Sequence, residues 1–201
     1  GDFAFGQAFS QTAQHVHVER LTQSARLLRA VKNGNVLHGL RQRTEEMLHV
    51  LEPKAGEFLF IPSGRLHAIG AGLVLFEMQQ NSDTVYRVFD WNRVGLSGVP
   101  RELHTDEALR CIDFDDVAPT MGEAQGELLV ACDHFRVERW AIKPGTARGG
   151  GEDRFALYTV VEGVARCGAS SFEAGSSFLL PVGGAPLETP SGAVVLRTTL
   201  P

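Results

Sequence analysis

The rhythm of apolar and polar positions changes along this chain of 201 residues. Between residues 22 and 52 the apolar positions follow a helical spacing. Thr22 stands as a cap ahead of Leu27, Leu28 and Val31, and Asn33-Gly34 offers a stop. Val36, Leu37, Leu40, Met47, Leu48 and Leu51 carry the spacing on until Pro53 ends it. The pattern predicts a helical insert over 22–52. Before it, Phe3, Phe5 and Phe9 predict a strand and turn within residues 1–19. From residue 56 the chain turns to short apolar runs bounded by Gly and Pro, and strands are expected over 58–61, 73–78 and 84–89. Residues 113–126 are acidic and small, with Pro119, Gly122 and Gly126, and read as a linker. Beyond it, runs at 127–142, 155–167, 176–180 and 193–199 predict a second β sandwich or barrel. The organisation expected is therefore a first β domain over 1–112, a linker over 113–126 and a second β domain over 127–201.

One pattern occurs twice. Gly56-Glu-Phe-Leu-Phe-Ile-Pro62-Ser-Gly64-Arg-Leu-His67 has the same spacing as Gly175-Ser-Ser-Phe-Leu-Leu-Pro181-Val-Gly183-Gly-Ala-Pro186. A glycine, an apolar strand and a Pro-x-Gly turn recur in register, which points to duplication and to two related barrels. Where the first copy has His67 the second has Pro186, so only the first can place an imidazole at the mouth of its sheet.

Composition narrows the function classes. Apolar residues make up 43% of the chain and charged residues 21%, as in an ordinary globular protein. A net charge of -5 gives no basic surface for nucleic acid or an anionic membrane. No apolar run approaches the roughly 20 residues that cross a bilayer. Asp2 and Gln7 interrupt the start, so no secretory signal is expected there. Cys111, Cys132 and Cys167 are widely spaced and form no CxxC pair. They read as thiols in a reducing compartment, the cytoplasm.

The candidate chemistry gathers in the first half. His67 is the first metal-ligand candidate, because zinc favours imidazole and carboxylate donors; the plainer reading is a satisfied surface histidine. Glu77 shares a strand face with Leu73, Leu75 and Gln79. A carboxylate in such an apolar lining must be paired or protonated, which fits it for proton transfer. The alternative for Glu77 is a structural partner for Arg87 or Arg101. Arg87 alternates with Val85 and Phe89 and suits a phosphate or a developing oxyanion, or else a salt bridge to Asp83 or Asp90. Gln79 opens the polar run 79–83, which could line a pocket. Arg101 brings a second cation. His15 and His17 stand two apart with Glu19 on the same strand face, either as further metal ligands or as a solvated edge.

Gly56-x5-Pro62-x-Gly64-x2-His67 resembles the second signature of the cupin fold. The stretch Phe60 to Gly70, the stretch Glu77-Met-Gln-Gln-Asn-Ser-Asp-Thr-Val-Tyr-Arg-Val-Phe-Asp-Trp91 and Arg101-Glu-Leu-His104 together resemble type I mannose-6-phosphate isomerase. The resemblance covers the C-terminal two thirds of that family. It implies a mainly β bicupin, two cupin-like barrels or sandwiches with the helical insert near 22–52. It further implies an enzyme that interconverts mannose 6-phosphate and fructose 6-phosphate through an enediol. In that reading His67 is a ligand of one Zn2+, Arg87 and Glu77 are catalytic, and Arg101 and Gln79 bind the sugar phosphate. The family's Gln-Val-His-Pro motif and its later Thr-Glu ligand motif do not occur at their places. His15, His17 and Glu19 would then complete the metal set. The alternative is a non-catalytic cupin-type protein that binds sugar phosphate or regulates. An incomplete barrel would leave strand edges exposed, which a homodimer could cover.

Overall fold

The computed structural model describes residues 16–19, 48–70, 72–82, 84–90, 94–95, 97–116, 118–150 and 153–201. The chain divides into two compact units, Gly1–Met121 and Gly122–Pro201. The described residues are mainly β, with little helix.

The second unit holds eight strands in one curled sheet. They are β4 (Leu128–Ala131), β5 (Arg136–Ile142), β6 (Thr146–Arg148), β7 (Ala156–Cys167), β8 (Ser170–Glu173), β9 (Ser177–Leu180), β10 (Leu187–Thr189) and β11 (Ala193–Thr199). The order is β4-β5-β11-β7-β10-β6, with β8 and β9 also on β7. Strand β7 makes the curl possible. Its first residues pair with β9 and β11, and Val164–Cys167 pair with β8. The change of partner falls at Gly163, where φ is 73° and a Cβ would sit 2.2 Å from the Gly192 carbonyl oxygen. No side chain fits there, so glycine lets one strand serve two parts of the sheet.

The inward face packs a core of Trp140, Ile142, Ala156, Tyr158, Val160, Ala165, Leu180, Leu187, Ala193 and Val195. Trp140 and Tyr158 meet at a tilt with centroids 5.7 Å apart, and Phe172 stacks on Phe178 at 3.8 Å. Contacts of this kind add about 0.5–1.5 kcal/mol beyond the buried area. A charged cluster closes one side. Glu138 accepts hydrogen bonds from Arg136 at 2.9 Å and from Arg197 at 3.0 Å, its partner across the β5–β11 ladder. The Arg148 and Arg197 guanidinium groups lie 3.9 and 5.2 Å from the Trp140 ring centre.

In the first unit, β1 (Val16–Glu19), β2 (Leu48–Leu51) and β3 (His67–Ile69) form an antiparallel sheet in the order β2-β1-β3. A helix, α1 (Thr105–Cys111), follows later. Asp106 and Glu107 in its first turn and Arg110 in its last complement the helix dipole.

Several expectations are corrected here. Most of the expected helical insert lies outside the described residues, but its end at 48–51 is a strand. Its four residues pair with β1 from Leu48↔Glu19 to Leu51↔Val16; a run that short fits either period, and the ladder decides. Residues 58–61, 73–78 and 84–89 are not ladder strands. Alternation records which face a residue prefers but supplies no hydrogen-bonded neighbour. The run 127–142 is two strands, because the Cys132 N–H donates to the Phe135 carbonyl at 3.0 Å and turns the chain. Within the stretch 113–126, the Asp113 N–H donates to the Gly64 carbonyl at 2.9 Å and Pro119 is buried; the boundary between the two units falls inside it.

Candidate functional site

The turns of the repeated pattern recur in both copies, although only the second copy's apolar run is a ladder strand. In the first copy the Glu57 N–H donates to the Lys54 carbonyl at 3.1 Å, and the Arg65 N–H to the Pro62 carbonyl at 3.2 Å. In the second, the Ser176 N–H donates to the Glu173 carbonyl at 2.9 Å and the Gly184 N–H to the Pro181 carbonyl at 3.1 Å. Both Pro-x-Gly turns put glycine third, with φ of 94° at Gly64 and 71° at Gly183, as a type II turn requires. Pro62 and Pro181 open the turns at their first position, and the glycine supplies the positive φ that the third position needs, so the glycine is what the sequence writes into the turn.

The first turn delivers His67 to the start of β3. Its Nδ1 lies 3.0 Å from the Arg65 carbonyl oxygen. A carbonyl only accepts, so Nδ1 carries the proton and Nε2 keeps its lone pair for a ligand or a proton. The imidazole is exposed.

The β1–β3 ladder gives the backbone register of the strand that carries His17 and Glu19. His67 stands opposite Val18, and Ala68 opposite His17. Directly opposed positions share a face and neighbours alternate. His15 lies outside the described residues. Among the described residues, no three His, Cys, Asp or Glu groups converge on a common point. His67 is one fitting donor for zinc, and the described residues do not complete a set around it.

Glu77 is exposed rather than set in an apolar lining; Leu75 on the same alternation is 47% exposed. Gln79 is exposed as well. Arg87 is half-buried and tied to the segment before α1. Its N–H donates to His104 Nδ1 at 3.2 Å, its carbonyl accepts the His104 N–H at 2.7 Å, and its guanidinium donates to the Glu102 carbonyl at 3.1 Å. Arg101 grips Asp90 with two prongs, Nε to Oδ2 at 2.7 Å and Nη2 to Oδ1. Asp90 is buried, and its hydrogen bond holds the Arg101 guanidinium above its ordinary value. Asp90 thus occupies the arginine expected to meet substrate. Among the described residues, no hydrogen bond or ion pair joins His67 to Glu77, Arg87 or Arg101.

Two residues carry weight that the sequence pattern did not single out. Arg65 donates to Asp116 from Nε at 2.5 Å and from Nη2 at 3.0 Å, and to the Phe60 carbonyl from Nη1 at 2.7 Å. Their side chains are only 14% and 16% exposed. Separated by 51 residues, they leave no local signature.

No family model matches the chain. Mannose-6-phosphate isomerase ManA of Bacillus subtilis is 34% identical over 154 residues, covering 71% of this chain and 49% of that protein. A mannose-6-phosphate isomerase of Streptococcus mutans is 34% identical over 128 residues, covering 61% of this chain and 40% of its own length. The chain spans about half the length of the curated relatives it matches. A crystal structure of mannose 6-phosphate isomerase from Bacillus subtilis superposes with a TM-score of 0.71 at 25% identity. It matches 96% of this chain and 62% of that one.

Proposed function

We propose that this chain, a relative of the mannose-6-phosphate isomerases over about two thirds of its length, serves the aldose–ketose isomerisation of mannose 6-phosphate and fructose 6-phosphate. The observation that carries the reading is the 34% identity over 71% of this chain, a share that takes in both His67 and Arg87 wherever the match begins.

The reaction moves a proton between C1 and C2 and passes charge onto a sugar oxygen. It needs a group that takes and returns a proton and a cation for the oxygen. Glu77 is the acid/base candidate and Arg87 the cation, with the Glu102 carbonyl orienting its guanidinium. Gln79 offers an amide to sugar hydroxyls. Arg101 meets the phosphate only by sharing or leaving Asp90. A zinc ion would polarise the sugar oxygens. It would take His67 as one ligand and at least two further donors from beyond the described residues. The same reading takes the two units as two cupin-like barrels, supported by the recurring turns. It sets the protein in the cytoplasm, which three free thiols fit.

A coupled assay of mannose 6-phosphate to fructose 6-phosphate with the purified chain, with zinc added or chelated, tests the proposal. Turnover lost in His67→Ala supports it. A folded chain that binds the sugar phosphate without turnover overturns it in favour of a binding protein.

A further inference from the structure

We propose that Arg65 and Asp116 form a positioning pair that fixes the ring and tautomer of His67. The guanidinium is held at three points, two on the Asp116 carboxylate and one on the Phe60 carbonyl. Phe60 lies before the Pro62-x-Gly64 turn and Asp116 lies after α1, so the arginine clamps the turn from both sides. The backbone adds to the clamp: the Asp113 N–H donates to the Gly64 carbonyl at 2.9 Å. A Cβ on Gly64 would come within 3.0 Å of the Cys111 carbonyl oxygen. The carbonyl of Arg65 itself then receives Nδ1 of His67 at 3.0 Å. Fixing the Arg65 backbone therefore fixes the acceptor that chooses the tautomer, and Nε2 is presented with its lone pair outward. Among the described residues, this chain of contacts is what orients the exposed imidazole.

The second copy of the turn is an internal control. It has the same backbone turn, yet Gly184 stands where the first has Arg65, and Pro186 where the first has His67. The cation and the imidazole are present together in one copy and absent together in the other. The turn alone does not need the arginine.

The test reads the tautomer and needs neither substrate nor metal, so it stands or fails apart from the isomerase assay. The ring nitrogens of His67 are followed by long-range 1H–15N correlation at about pH 8, where an unperturbed imidazole is neutral. The wild-type ring is expected as the Nδ1–H form. Asp116→Ala and Arg65→Ala are expected to lose that dominance and shift to the Nε2–H-rich mixture of a free imidazole. Asp116→Glu, which keeps the carboxylate, is expected to restore most of it. Unchanged amide signals from β3 and α1 certify that the first unit is folded. Asp116→Asn provides a milder variant should an alanine unfold the first unit. A wild-type ring in the Nε2–H form, or a folded Arg65→Ala, Asp116→Ala or Asp116→Asn that keeps the Nδ1–H form, overturns the proposal.

Discussion

The two units carry the same turn and spend it differently. In the second, the turn follows a ladder strand, β9, whose Leu180 is buried in a core with Tyr158, Val160, Leu187 and Val195. In the first, the turn follows residues that join no ladder, and Val74, Val85 and Val94 are 77%, 65% and 61% exposed. Of its described residues, Ala108, Asp90 and Pro119 are buried. The second copy has an apolar scaffold and a proline at the site position; the first has the imidazole and the polar pairs. Among the described residues, the apolar core and the candidate site chemistry thus fall around different copies of the turn.

The largest effect should come from the scaffold. Tyr158→Ala removes a side chain that is fully buried between Trp140 and Phe178 and is expected to cost about 3–5 kcal/mol. A drop in melting temperature of several degrees in calorimetry checks it. Next comes the charged cluster. Glu138→Gln takes away the carboxylate that Arg136 and Arg197 share and should cost about 2 kcal/mol, read as a shifted urea midpoint at unchanged slope.

That cluster also sets a pH dependence. Burial pushes the Glu138 carboxyl up, and the hydrogen bonds from Arg136 and Arg197 outweigh it, leaving it below its ordinary value. Glu127 is lowered as well, chiefly by its hydrogen bond from Arg148. A carboxyl lowered in the folded state stabilises fully above its unfolded value, and the contribution is lost as pH falls through the folded one. The melting temperature is therefore expected to fall as pH drops below about 4.5, the ordinary value for these groups. Glu138→Gln should flatten part of that fall, and parallel profiles for the two proteins would refute the assignment.

Smaller effects sharpen the contrast between the turns. Alanine at Gly183 meets only the strain of a positive φ, with open space around it, whereas alanine at Gly64 also meets the Cys111 carbonyl. Gly64→Ala should cost about 1 kcal/mol more than Gly183→Ala, a difference chemical denaturation resolves. Smallest of all, Val74→Ser on the first unit should change stability by less than about 0.5 kcal/mol.

The second unit was the more legible half. Its long strands β7 and β11 carry β-branched and apolar runs ended by glycines, and both were read nearly to the residue. The strands β6, β8 and β10 were missed, since three or four residues amid Gly, Ser and Pro look like turn. In the first unit, alternation at 73–78 read as a strand, but ladders need partners that the run itself does not name. The seven residues of α1 are too few to show a period. The site's residue types were legible because the Pro-x-Gly turn and His67 are local. The Arg101–Asp90 and Arg65–Asp116 pairs were not, because the first competes with other equally spaced charges and the second spans 51 residues.

The most direct test of the central claim is to incubate the purified chain with mannose 6-phosphate in deuterium oxide and follow C1 and C2 by NMR. Proton transfer through an enediol predicts solvent deuterium at these carbons, with the signal lost in Glu77→Gln or His67→Ala. A folded chain that leaves both carbons at the level of a protein-free blank would contradict the account.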